Sequence, residues 1–212
     1  MELRAPLDQA LRGRSHVRVL RALEALPRGF AVSAREVARR ARVSHPTASA
    51  VLASLRDQGL VVAQRAPHGA AIQLNRDHVL AAPLVALFDH ERRSSDELVS
   101  LLREELRRHA DTVRAAYLFG SAARGELAPR GDIDLAVVSP GSREEEVRTR
   151  LEPVADAVRR RFGNEVSLVV ATSSVESLRR PGRPGRALWR RIVEEGIPLL
   201  RSAERTKAAV RG

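Results

Sequence analysis

Gly120 and Ser121 follow the apolar run Ala115-Ala116-Tyr117-Leu118-Phe119, and ten residues separate Ser121 from the sequence Asp132-Ile133-Asp134-Leu135-Ala136-Val137-Val138. The pattern is Gly-Ser-x10-Asp-x-Asp. A strand that ends in Gly-Ser and opens a helix presents unpaired backbone N–H groups and a hydroxyl to a phosphate, and glycine removes the side chain that would block close approach. Such a loop can hold a triphosphate. In a strand, alternate residues face the same way, so Asp132 and Asp134 converge on one side while Ile133 and Leu135 enter the core. Two carboxylates on one face can hold magnesium, which takes oxygen ligands and usually keeps waters and phosphate oxygens.

The stretch Gly120-Ser121-Ala122-Ala123-Arg124-Gly125-Glu126 with Asp132 and Asp134 resembles the nucleotidyltransferase domain of the DNA polymerase β superfamily, in its minimal form. The resemblance implies that Gly120 and Ser121 contact nucleotide phosphates, that Arg124 lies near them, and that Asp132 and Asp134 are the catalytic pair binding Mg2+ or Mn2+. An alternative for Arg124 is an ion pair with Glu126 or Asp132. The family pattern adds a third carboxylate on a later strand, here Glu165-Val166-Ser167-Leu168-Val169-Val170, whose expected position holds Ser167. Glu165 points to the same face but lies roughly 6.6 Å further along the strand, which favours a missing ligand over a displaced one. The third carboxylate serves mainly the second metal of a two-metal site. Nucleotide binding can therefore outlast transfer, and the sequence leaves transfer itself undecided.

The elements ahead of this motif have their own order. Val19, Leu20, Leu23 and Leu26 lie on one helical face before Pro27-Arg28-Gly29, and Ser33-Ala34-Arg35-Glu36 reads as a capping box for a short helix with Val37, Ala38 and Ala41 inward. Ser44 caps a third helix with Pro46 in its first turn and Ala48, Val51, Leu52 and Leu55 as its stripe. Leu60-Val61-Val62-Ala63 and Ala71-Ile72-Gln73-Leu74 read as a hairpin through Pro67-His68-Gly69. This order over residues 15–75 resembles the winged helix-turn-helix of bacterial transcription regulators. The resemblance implies that Ser44, His45, Thr47 and Ser49 approach bases of double-stranded DNA while Arg42, Arg56 and Arg65 meet phosphates. Small polar residues at a helix start also serve simply as caps. His45 and His68 lack a second ligand at metal-binding spacing and read as surface histidines.

Charge agrees with an anionic partner. The chain of 212 residues carries 37 basic and 26 acidic side chains, net +11, and residues 1–80 hold 13 of the basic against 6 of the acidic. A basic excess concentrated on a small domain is the electrostatic footprint of a phosphate backbone. The absence of cysteine excludes disulfides, cysteine–zinc sites and thiol nucleophiles. The longest apolar run, Val79 to Phe88, is interrupted by Pro83, so the expectation is a soluble, cytoplasmic protein with no membrane partner.

The expected architecture is α/β (α+β). A winged helix-turn-helix occupies 1–80, a helical connector 81–110, a nucleotidyltransferase mixed sheet flanked by helices 111–200, and a basic tail 201–212. Two helices are expected between 77 and 110, one through Val79, Leu84, Leu87 and Phe88, the other capped by Ser94-Ser95-Asp96 and running through Leu98, Leu101, Leu102 and Leu106. Their periodicity does not separate a connector from a homodimer surface. Val147, Leu151, Val154, Val158 and Phe162 form a later stripe, Trp189 is a core candidate, and the basic run Arg179 to Arg186 is a loop. Three functions fit: transfer of a nucleoside monophosphate from a metal–NTP to a hydroxyl acceptor, a protein among the candidates; a non-catalytic, nucleotide-responsive transcription regulator; and an antitoxin-like nucleotidyltransferase.

Overall fold

The computed structural model describes residues 11–66, 69–126, 131–174, 178 and 185–201. The turn at 67–68, the basic loop over 179–184 and the tail beyond 201 lie outside the described residues. The chain divides into two units, 1–92 and 93–212.

The front unit contains α1 (Arg14–Glu24), α2 (Ala34–Ala41), α3 (His45–Asp57) and the antiparallel pair β1 (Val61–Ala66) and β2 (Gly69–Leu74). A bridge between Val32 and Ile72 ties the segment before α2 to the hairpin. The predicted stripes are the core: Val19, Leu20, Leu23, Val37, Val51, Leu55 and Leu60 are at most 5% exposed. Ser33 Oγ accepts from the Glu36 N–H at 3.3 Å, but the Glu36 carboxylate turns to Arg39 and Arg40 instead of back to the cap. Only half of the capping box forms. Those two arginines hold the Glu36 carboxyl down to about 2.

The helix α4 (Ala81–Arg107) replaces the two expected helices with one. After Pro83 in its first turn, no glycine or proline interrupts it, and Ser94 and Ser95 are exposed rather than capping. Val79 precedes the helix and is 67% exposed, and Leu87 is 53% exposed, so neither belongs to the inward stripe. Leu84 and Phe88 enter the front core. Glu24, buried at the end of α1, accepts from Arg92 Nη1 at 2.7 Å, and Arg21 pairs with Glu91 at 2.6 Å.

The back unit is a four-stranded mixed sheet ordered β5-β4-β3-β6, with β3 (Ala115–Phe119), β4 (Ile133–Val138), β5 (Val166–Ala171) and β6 (Ile197–Arg201). β3 runs antiparallel to β4 and β6, and β5 parallel to β4. Helices α5 (Gly120–Ala123), α6 (Glu144–Phe162) and α7 (Arg186–Glu195) also belong to the described part of this unit. One sheet face packs Leu118, Ile133, Leu135 and Val137 against Leu102 and Leu106 of α4 and Leu151 and Val158 of α6. The other packs Tyr117, Ala136 and Val138 against Trp189 and Ile192 of α7. Among the described residues, α4 and α6 thus cover one face of the sheet, and α7 packs on the other, with Leu178 beside it.

Candidate functional site

β3 ends at Phe119, which pairs with Asp134 across the antiparallel ladder, and the chain turns directly into α5. Gly120 makes that turn at φ +70°, and a Cβ placed on it would lie 2.0 Å from Asp134 Oδ2. Glycine is thus required twice: for the left-handed backbone and for the closeness of main chain to carboxylate. Ser121, half-buried, follows, and its carbonyl accepts from the N–H groups of Arg124 and Glu126 at 3.2 and 2.9 Å, closing the loop.

Asp134 sits two residues before Ala136 and so shares the α7 face of the sheet. Asp132 lies just ahead of β4 and is exposed. Its segment is fixed by Asn164 Nδ2 donating to the Gly131 carbonyl at 2.8 Å and by the Ile133 N–H donating to the Glu165 carbonyl at 2.8 Å. Burial first, and then the Asp132 charge, push the Asp134 carboxyl above its ordinary value. A hydrogen bond donated by Ser167 and the field of Arg124 act against that rise.

Ser167 stands opposite Asp134 in the parallel β4–β5 register. Its hydroxyl favours the ionised form of the carboxylate it faces. Glu165 turns away: Arg159 Nε and Nη2 each donate to one of its oxygens at 2.8 Å, and this hydrogen bonding holds the Glu165 carboxyl below the usual carboxylate range. No cluster of three or more His, Asp or Glu side chains able to hold a metal occurs among the described residues. The donor set is therefore two carboxylates in each other's field. That negative charge, only partly offset by Ser167 and Arg124, fits a divalent cation completed by phosphate oxygens and water.

Arg124 pairs with Glu126 at 3.0 Å, the alternative the sequence left open, with both side chains more than half exposed. Arg124 also lines a cleft of about 190 Å3 together with Gly120, Leu188, Arg191, Ile192 and Glu195. The last four belong to α7. None of these four is a site candidate in the sequence analysis above. The i, i+4 spacing of Arg191 and Glu195 marks a solvated pair, and nothing local signals that α7 faces the Gly-Ser turn some seventy residues earlier.

In the front unit, Ser44 is a helix cap: its Oγ accepts from the Thr47 N–H at 3.3 Å and lies 2.7 Å from Thr47 Oγ1. His45 is exposed at the start of α3, and Ser49 and Arg56 line one shallow groove with Ala53 and Ala63. Arg42, Arg56 and Arg65 are exposed. Arg42 terminates α2 at φ 54°, and its carbonyl accepts from Arg18 at 3.3 Å.

The profile of the MarR family matches residues 13–71, and that of the nucleotidyltransferase domain matches residues 99–193. The chain joins a MarR-family winged-helix domain to a nucleotidyltransferase domain. A solved structure titled as a mutant of the toxin–antitoxin MntA-HpeT is 19% identical, covering 51% of this chain and 74% of that one, with a TM-score of 0.32. No curated protein matches. The nucleotidyltransferase profile spans the Gly-Ser turn, both aspartates, Ser167 and most of α7, and the MarR profile spans the three helices and the hairpin as far as Ala71. No helix among the described residues is long and apolar enough to cross a membrane.

Proposed function

We propose that this protein binds double-stranded DNA through its MarR-family domain and a nucleoside triphosphate with a divalent cation through its nucleotidyltransferase domain, and that it responds to the nucleotide more than it consumes it. The observation that carries the second half is the side-chain arrangement around Asp134. Ser167 occupies the strand position facing that carboxylate, and the neighbouring Glu165 is engaged by Arg159.

Asp132 and Asp134 would hold the ion, which supplies charge neutralisation of the phosphates. Gly120 lets the backbone approach the ligand, Ser121 offers its hydroxyl, and Arg124 leaves Glu126 for the phosphates. An exposed ion pair of this kind contributes about 0–1 kcal/mol, so its exchange for a phosphate costs little. A neutral hydroxyl cannot replace an anionic metal ligand, and activation of an acceptor hydroxyl is weakened accordingly.

The test is incubation of the full chain with labelled NTPs, magnesium or manganese, and a lysate of the source cells, beside calorimetric titration. Wild type should bind the metal–triphosphate and label acceptors slowly or not at all, and Ser167→Asp should raise transfer or hydrolysis with affinity within about tenfold. Equal affinity of wild type and Asp132→Ala/Asp134→Ala refutes the site. Brisk turnover by wild type that Glu165→Ala abolishes refutes the sensor reading and makes the protein a working transferase.

A further inference from the structure

The α7 cleft carries an arginine outside the Gly-Ser and Asp-x-Asp motifs. Arg191 lines it opposite the Gly120 turn, on the sheet face that Asp134 shares, with Trp189 and Ile192 anchoring the helix in the core. Its Nε stands 3.7 Å from Glu195 Oε1, beyond hydrogen-bond length, and the two side chains are 67% and 63% exposed. A guanidinium carries five N–H donors in a fixed fork suited to phosphate oxygens, and a solvated ion pair at that distance leaves them available. Arg124, which lines the same cleft, is held more firmly, through a 3.0 Å hydrogen bond from its Nε to Glu126, although both of those side chains are also more than half exposed.

Charge decides what enters. Of the charged groups, Arg124, Arg191 and Glu195 line the cleft, Glu126 pairs with Arg124, and Asp134 stands against Gly120 in the field of Asp132; with all of them ionised the site carries a net −2, which repels a bare polyphosphate and is cancelled by one divalent cation. Metal and polyphosphate should therefore arrive together, and each arginine must exchange its glutamate for a phosphate oxygen. We propose that Arg191 is a second phosphate-binding residue of the nucleotide cleft and that Glu195 restrains it until a metal-bound polyphosphate displaces the pair. This rests on the nucleotide reading above and adds to it a residue and a restraint.

The experiment titrates full-length wild type, Arg191→Ala, Arg191→Lys, Glu195→Gln and the double variant Arg191→Ala/Glu195→Gln with magnesium–ATP, magnesium–GTP and magnesium–tripolyphosphate, which has no base or ribose. Thermal melts confirm that each variant is folded, as expected for exposed positions on a helix held by Trp189 and Ile192. Arg191→Ala should weaken all three ligands by about tenfold or more, with Arg191→Lys between it and wild type. Glu195→Gln should tighten them a few-fold, and that gain should vanish in the double variant because the two residues act as a pair. Two results would overturn the inference while the nucleotide reading stands: unchanged affinity in Arg191→Ala, or a loss with ATP and GTP that tripolyphosphate does not show. Wild type binding none of the three overturns both.

Discussion

Asp134 is held where its charge is unfavourable, and this has a defined consequence for stability. Its native pKa is raised, so between the unfolded and native values the folded protein binds more protons than the unfolded chain, and stability falls as pH rises through that window. Above the window the ionised carboxylate costs stability in full; below the ordinary value near 3.8 it costs nothing. Asp134→Asn should therefore melt above wild type at pH 7, with the gain closing as pH falls toward 3.5 in scanning calorimetry. Equal melting temperatures at pH 7 would show that burial and Asp132 are already compensated. Gly120→Ala tests the same contact from the backbone side. The methyl would meet Asp134 Oδ2 in a left-handed turn, so nucleotide binding should be lost with a stability cost of about 1–3 kcal/mol, read by titration and chemical denaturation.

The first half of α4 is fastened to α1 by an asymmetric ion pair, in which Glu24 is 6% exposed and Arg92 49%. Removing the arginine strands a buried carboxylate, whereas neutralising the glutamate leaves an arginine that reaches water. Arg92→Met should accordingly cost clearly more stability than Glu24→Gln, measured by denaturant unfolding; the reverse order would contradict the burial asymmetry. Elements of this kind were legible to different degrees. The stripe of α3 was readable because Ser44, Pro46 and four apolar residues agree on one helix, as was the Gly-Ser to Asp-x-Asp spacing, because both motifs adjoin their own strands. The continuity of α4 was not, since a serine pair that can cap a helix can also sit solvated within one. The α7 wall of the cleft was beyond local reading altogether, as Arg191 and Glu195 follow an ordinary surface pattern and gain meaning only from where the sheet delivers Gly120.

For the whole molecule, the +11 charge predicts DNA affinity that falls steeply with salt. Alanine at Arg42, Arg56 or Arg65 in the full chain should weaken binding across all sequences and lower the salt slope by about 1 each, measured by mobility shift over a salt series. No shift at low salt on fragments around the protein's own promoter would replace DNA with a protein partner for the winged helix. The sheet raises a different matter. β5 is an edge strand with the sequence Val-Ser-Leu-Val-Val-Ala, free of charge and proline, whereas the opposite edge, β6, carries Pro198. Its Leu168 carbonyl accepts from Arg148 at 3.0 Å, so one arginine guards part of that rim. Among the described residues no further strand pairs with this edge, and an apolar edge strand is a template for aggregation, against which Arg148 should act as a gatekeeper. Arg148→Ala should shorten the shelf life of concentrated protein, visible as faster growth of light scattering on storage, while the melting temperature moves little: the same strand that presents Ser167 to the site sets how long the purified protein stays in solution.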